Sequence, residues 1–416
     1  MSIRGRAAMT ATLLLSLLAG GSLLVAAPVA ADDNCAHIQD SEGVKPDSWA
    51  QRRLDLARVW PLVQGKGQII AVIDSGVDVT RPHLRGGAVI AGPDVLGARG
   101  GPSTKDCTGH GTGVAAILAG HPVGGSPFAG VAPAARVLSI RAVEKGSSRE
   151  ADRGGPAQIV RALQAAVQAH ARVINISAGN QSDDPALRAA VTDALQHDVV
   201  IVAAAGNDDH DIPIKPEQAA LPYYPAAYPG VLAVAATDKD DQKTDISPTG
   251  SYVDIAAPGD GVVTVAANGP AAYVAVSGTS YAAPFVAGTA ALVRAYHPGL
   301  TAQQVVRRIV ATADVPASGR GTPGLGAGIV NPYAAVTAVI PAEAGVAAPS
   351  ATVAAVSPAV PLAADNRARD RALAGAGLAG LLAVLVLAVA SLLPRGHERR
   401  WRPGRVPVPI RDRNRM

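Results

Sequence analysis

Cysteine is scarce in this chain of 416 residues, with two in all, and aromatic residues make up only 3%. The first scarcity rules out a disulfide scaffold in place of a core. A chain this long and 48% hydrophobic buries one large core of its own. The second scarcity, together with the lack of a basic stripe, removes the features a nucleic-acid partner requires. A formal net charge of +4 does not restore that partner. Two arginines lie before residue 32 and eight after residue 394, which leaves 27 basic and 31 acidic residues between them, a mildly acidic body. No compact acidic loop of the kind that cages calcium stands out, and no metal or cofactor is expected.

The ends of the chain are unlike its middle. Arg4 and Arg6 precede an apolar stretch from Leu13 to Ala27 and small residues at Val29–Ala31, which predicts a signal peptide over residues 1–31. Residues 32–66 form an N-terminal extension. Export implies an oxidising compartment, so Cys35 and Cys107 are expected to pair, closing a loop of about 70 residues worth on the order of 4 kcal/mol in the chain-entropy picture. After a domain at 67–340, residues 341–372 are rich in proline and alanine and read as a linker. Residues 373–393 are uncharged and long enough for one membrane crossing. The arginine-rich tail at 394–416 then sets the cytoplasmic side, leaving the main domain extracytoplasmic and the chain single-pass in the cell membrane.

Between those ends the pattern alternates. QIIAVIDSG at 68–76 reads as a buried parallel strand, GHGTGVAAILAG at 109–120 as a small-faced helix, and ARVINIS at 171–177 and DVVIVAAAGN at 198–207 as further strands, with helices over 156–170 and 185–197 between. GVLAVAAT and YVDIAAPG continue it, and a last helix is predicted over 301–312. The fold class is therefore α/β, a doubly wound, mostly parallel sheet with helices on both faces, followed by one C-terminal transmembrane helix. The NIS triplet at Asn175 matches a glycosylation pattern but falls in a buried strand, so it reads as structural.

In such sheets sites gather at the carboxyl ends of the strands. Asp74, Ser177 to Gly179 and Asn207 sit at predicted strand ends, while His110 and Ser280 sit at predicted helix starts. Alone, each has an ordinary reading: an Asx-turn for Asp74, a helix cap for His110 or Ser280, a left-handed turn for Asn207. Together they supply a hydroxyl, a base to take its proton, a carboxylate to orient that base, and an amide to meet a developing oxyanion.

The order Asp, His, Ser, carried on VIDSGV, GHGTGVA, VINISAG, VAAAGN and GTSYAAP, resembles the subtilisin-like serine peptidases. That resemblance implies a catalytic triad of Asp74, His110 and Ser280, with Asn207 in the oxyanion hole. It also implies a groove lined by Ser177, Ala178 and Gly179 that pairs with an extended protein or peptide substrate, and a pocket wall made by Ala203, Ala204, Ala205 and Gly206. Tyr281 stands where many relatives have methionine, and Ala178 where many have leucine. The long propeptide of many relatives is missing, and the short extension is expected to wrap the fold. The whole architecture, from signal peptide to single span, is similar to that of the mycosins, membrane-anchored proteases of type VII secretion systems. That implies the membrane components of the secretion channel as partners. Two other roles stay open: a structural subunit of the channel with catalysis secondary, and a general surface protease without secretion partners.

Overall fold

Short β-branched runs build the centre of the molecule. The computed structural model describes residues 44–46, 48–97, 103–144, 154–207, 221–267, 272–316, 319, 322–340 and 343, all within one unit, Met1–Pro349. The signal peptide, Cys35, the segment 373–393 and the basic tail lie outside the described residues. Among the described residues no helix is long and apolar enough to cross a membrane.

Seven strands form one sheet: β1 (Ile69–Asp74), β2 (Val89–Asp94), β3 (Arg136–Arg141), β4 (Val173–Ile176), β5 (Val200–Ala204), β6 (Leu232–Thr237) and β7 (Ile255–Pro258). Their order is β2-β3-β1-β4-β5-β6-β7, every neighbouring pair parallel. The strand order reverses around β1, which places a crevice at its carboxyl end. β2 contains Gly92 and Pro93, and it lies at the sheet edge, where a missing N–H costs least.

Side chains alternate across the sheet with period two. Ile70 and Val72 of β1 join one core with α3 (His110–Ala119) and α6 (Thr279–Tyr296), while Ala71 and Ile73 join another with α4 (Pro156–Gln168) and α5 (Pro185–Gln196). Both faces are thereby covered. α4 buries Ile159, Ala162, Leu163 and Ala166, a stripe at helical spacing, and Gln158 accepts the Gly155 N–H at 3.0 Å to close its first turn. Asp184 caps α5 through the Leu187 N–H at 2.9 Å. α6 is buried along most of its length, and a side chain at Gly288 would lie 2.6 Å from the Val131 Cβ, so small residues set how closely it packs. α7 (Ala302–Ala311) and α8 (Pro332–Thr337) complete the α6 side.

Two features depart from the expected alternation. No helix separates β6 from β7, which residues 238–254 join directly. Beyond β7, β8 (Val262–Val265) and β9 (Tyr273–Val276) pair antiparallel in a second, two-stranded sheet.

The described part of the extension lies across the domain as α1 (Trp49–Arg53) and α2 (Leu56–Val59), with Leu54, Leu56 and Val59 in the core. Trp49 donates its indole N–H to the Asp260 carbonyl at 3.1 Å, and Arg53 pairs with Asp241 at 2.7 Å and Asp314 at 3.1 Å. Trp60 donates to the Val131 carbonyl, and the Arg58 guanidinium lies 4.0 Å from the centre of the Tyr333 ring. At the other end Arg308, 1% exposed, donates to the Ala335 and Ala338 carbonyls and pairs with Glu343.

Candidate active site

Three elements converge at the carboxyl edge of the sheet. Asp74 is the last residue of β1, His110 the first of α3 and Ser280 the second of α6. The His110 Nδ1–H donates to Asp74 Oδ1 at 2.7 Å, since a carboxylate only accepts, and this leaves Nε2 to accept the Ser280 hydroxyl at 2.8 Å. Asp74 Oδ1 also accepts the Ser75 N–H at 2.7 Å. All three side chains are buried, with Ser280 3% and His110 8% exposed.

Close backbone approach makes this arrangement possible. A side chain on Gly111 would meet the Gly76 carbonyl oxygen at 2.2 Å and Asp74 Oδ1 at 3.1 Å, so only glycine lets α3 rest on the end of β1. Gly278 caps α6 at φ +146°, and a Cβ there would lie 3.2 Å from Ser280 Oγ and 3.4 Å from Asn207 Nδ2. The bare glycine thus leaves open the space between hydroxyl and amide.

Asn207 follows β5, and its orientation is set by its neighbours. Its Oδ1 accepts the Thr279 N–H at 3.0 Å, so the amide nitrogen is the end near Gly278. The first N–H groups of a helix have no partner within it, and the Ser280 N–H is one of these at the start of α6. An amide and a backbone N–H therefore flank the hydroxyl, where an oxyanion formed on attack would need donors.

The remaining expected positions divide. Ser177 is 1% exposed, and its hydroxyl donates to the Ser280 carbonyl at 2.9 Å, so it braces the start of α6. Ala178 is half-buried and Gly179 exposed; next to them Asn180 and Tyr224 exchange backbone hydrogen bonds at 3.0 and 2.7 Å. Ala203 and Ala205 are fully buried and Ala204 is 8% exposed, while Gly206 and Asn207 are half-buried. A side chain on Gly206 would strike the Tyr223 ring at 2.4 Å, so Tyr223 lies over this wall. Cys107 is not a free thiol, and Cys35, its expected partner, lies outside the described residues.

Thr279 and Asp106 escaped the sequence reading, and Tyr281 was noted there without a role. Thr279 holds Asn207. Tyr281 lies with its ring centre 4.8 Å from that of His110, burial pushes its phenol well above the usual value, and it borders a cavity of about 280 Å³ together with Thr108, Thr264 and Ser277. Asp106, 1% exposed, accepts the Ser75 hydroxyl at 2.9 Å, and Ser75 in turn accepts the Gly111 N–H at 3.0 Å. The DCTGH spacing, with an acid four residues before the histidine, was the available signal.

Comparison with known proteins agrees with this geometry. The Subtilase family model of peptidase S8 matches residues 65–345. Mycosin-3 of Mycobacterium tuberculosis is 38% identical over 398 residues, covering 84% of each chain. Thermitase of Thermoactinomyces vulgaris is 34% identical, covering 69% of this chain and 95% of its own. Among solved structures, the MycP3 protease from the type VII (ESX-3) secretion system aligns with a TM-score of 0.61 at 36% identity, over 72% of this chain and 90% of its own. A chain of the intact ESX-5 inner membrane complex aligns with a TM-score of 0.61 at 29% identity, over 84% and 92%. From its strand order to the residues at its sheet edge, the chain belongs to the subtilase family of serine endopeptidases and is homologous to the mycosins of type VII secretion systems.

Proposed function

We propose that Ser280 is the nucleophile of this endopeptidase, His110 its general base and acid, and Asp74 the carboxylate that orients the imidazole. The observation that carries this is the unbroken hydrogen-bonded path from Asp74 through His110 to Ser280. Ser280 Oγ adds to the scissile carbonyl carbon while its proton passes to His110 Nε2, and the carbonyl oxygen becomes an oxyanion met by the Asn207 amide and the Ser280 N–H. Collapse expels the amine, which takes the proton from His110. Water, deprotonated by the same imidazole, then hydrolyses the ester and restores Ser280. The substrate lies extended along Ala178 and Gly179, with the side chain before the cut against Ala203 to Gly206 and Tyr223.

The same reading places the chain in the cell membrane through residues 373–393, with its protease domain extracytoplasmic, Cys35 paired with Cys107, and a type VII secretion complex as its partner. Exported proteins are the substrate class. A tether limits reach and raises concentration near membrane partners, which suits processing more than digestion.

Membranes containing the full chain, treated with a biotinylated fluorophosphonate, test the nucleophile. A covalent adduct mapped to Ser280 and absent from Ser280→Ala is expected; an adduct elsewhere, or none, overturns the assignment. Retention in the membrane after alkaline carbonate washing, lost on deleting residues 373–393, is expected for the anchor.

A second reading is favoured by the likeness to a chain of the ESX-5 inner membrane complex. The protein serves the channel as a structural subunit, with proteolysis secondary. Complementing a deletion strain with Ser280→Ala separates the two: export lost makes proteolysis essential, and export retained makes the structural role primary.

A further inference from the structure

Resting on the assignment of Ser280, His110 and Asp74 above, we infer that Asp106 is a positioning residue for His110, which it serves both by capping the first turn of α3 and by placing a second negative charge behind the imidazole. The starting observation is a helix without an ordinary cap. α3 begins at His110, and the residue before it, Gly109, is in the left-handed region at φ +76° and has no side chain with which to accept the exposed N–H groups. Asp106 takes over that work from three residues upstream. Its Oδ1 accepts the N–H groups of Thr108 at 3.1 Å and Gly109 at 2.9 Å, and its Oδ2 accepts the Thr112 N–H at 2.8 Å. The Thr112 hydroxyl donates to Oδ2 at 2.6 Å and the Thr108 hydroxyl lies 3.2 Å from Oδ1. Through the Ser75 hydroxyl the same carboxylate reaches the residue next to Asp74. One side chain thus ties together both segments that the His110 to Asp74 bond must span.

These partners also bear on the charge state. Three backbone N–H groups and the Thr112 hydroxyl, which accepts the Asp78 N–H at 2.9 Å and so has its own proton free for Asp106, all donate to a carboxylate and favour its ionised form. Burial and the nearby Asp74 push the carboxyl up from its ordinary value, and the Thr112 and Ser75 hydrogen bonds oppose that push. The converging donors favour the carboxylate against the cost of its burial. That cost is understandable if the charge is used.

His110 is the group that uses it. The other groups facing this turn are Asp74 from β1, Tyr281 from α6, the Asp78–Arg81 ion pair and the exposed Lys105. Tyr281 is kept neutral by burial, and Arg81 is paired. Two buried carboxylates therefore bear on one imidazole, and the second stabilises its cation as the first does, at longer range.

The test uses full-length chain in detergent and the second-order rate of fluorophosphonate labelling of Ser280 as a function of pH. Labelling requires neutral His110, so its acid limb reports the imidazole. In Asp106→Asn the lost negative charge moves that limb to lower pH by about 0.5 to 1 unit, and the plateau falls roughly 10- to 100-fold as the turn loosens. Asp106→Glu keeps the charge, so its limb stays in place while its plateau falls. Asp106→Ser, which leaves room for water to meet the freed N–H groups, is the neutral replacement if the asparagine chain does not fold. A neutral variant whose plateau falls but whose acid limb is unmoved overturns the inference, since a cap alone predicts that result. Failure of the wild-type chain to label at Ser280 would instead sink the assignment on which it rests.

Discussion

Thr279 gives its N–H to Asn207 Oδ1 at 3.0 Å and holds its hydroxyl 3.0 Å from the same oxygen and 2.8 Å from the Gly206 carbonyl. The residue preceding Ser280 thus aims the amide that flanks it. Asn207→Ala is expected to lower kcat about 10²- to 10³-fold with little change in KM, a range that holds for loss of the same kind of donor in another subtilase. Thr279→Val keeps the N–H and removes the hydroxyl, so its loss should be smaller. Steady-state hydrolysis of an unstructured peptide ester distinguishes them, and a change confined to KM would contradict this role for Asn207.

Gly278 leads to a steric prediction. A methyl group at this position would occupy the gap between Ser280 Oγ and Asn207 Nδ2, in a backbone region that other residues rarely adopt. Gly278→Ala should cut labelling of Ser280 at least about 100-fold, since small displacements of reacting groups cost that much. Melting should still be cooperative, because the rest of α6 is untouched. Wild-type labelling by this variant would refute the argument.

A third expectation concerns acid. Burial lowers the pKa of His83, which lies against Phe128 and hydrogen-bonds to His121 and Tyr273, and it lowers that of His297 beside Val336. Each ring gives up a proton more readily folded than unfolded, where its pKa is about 6.5. The stability each contributes is therefore complete above that pH and lost as pH falls through the lower folded value. The midpoint of thermal unfolding should drop from pH 7 to pH 5, and His83→Gln should flatten the drop. An identical slope in wild type and variant would show that His83 has no part in it.

The last prediction sits at the far end of the domain. Glu343→Ala leaves the guanidinium of Arg308 buried without its counter-charge, and a loss of about 3 kcal/mol is expected in urea unfolding. The double change Arg308→Met with Glu343→Leu removes both charges and should cost clearly less. Equal losses would mean that the pair contributes through packing alone.

The parts of this site that were legible in the sequence share one signature: a polar residue ending a buried apolar run. Asp74 after IIAVI, Ser177 after VINI and Asn207 after VIVAAAG stand where parallel strands stop, and the carboxyl edge of the sheet brings them together. Asp106 and Thr279 carried no such mark. Their work is to accept or donate toward backbone of another segment, and that partnership exists only once β1, α3 and α6 have met. Ser177 shows the converse. Its position was evident, but the direction of its hydroxyl, inward to the Ser280 carbonyl, depends on packing that periodicity does not encode. The β8–β9 hairpin was missed because YVAV and VVTV are too short and too uniform to announce an antiparallel pair.

Arg53 reaches Asp314 across 261 positions of chain, and Asp74 meets the histidine that serves Ser280. A chain that emerges amino-terminus first therefore has α1 waiting for residues made near the end of the domain. β1, an interior strand flanked by β3 and β4, also stays unfinished until those later neighbours arrive. Assembly of this kind is dominated by distant pairings and is slow, and Ser280 joins Asp74 and His110 only when nearly the whole domain is present. A peptidase with this connectivity keeps Asp74, His110 and Ser280 apart for as long as its chain is incomplete.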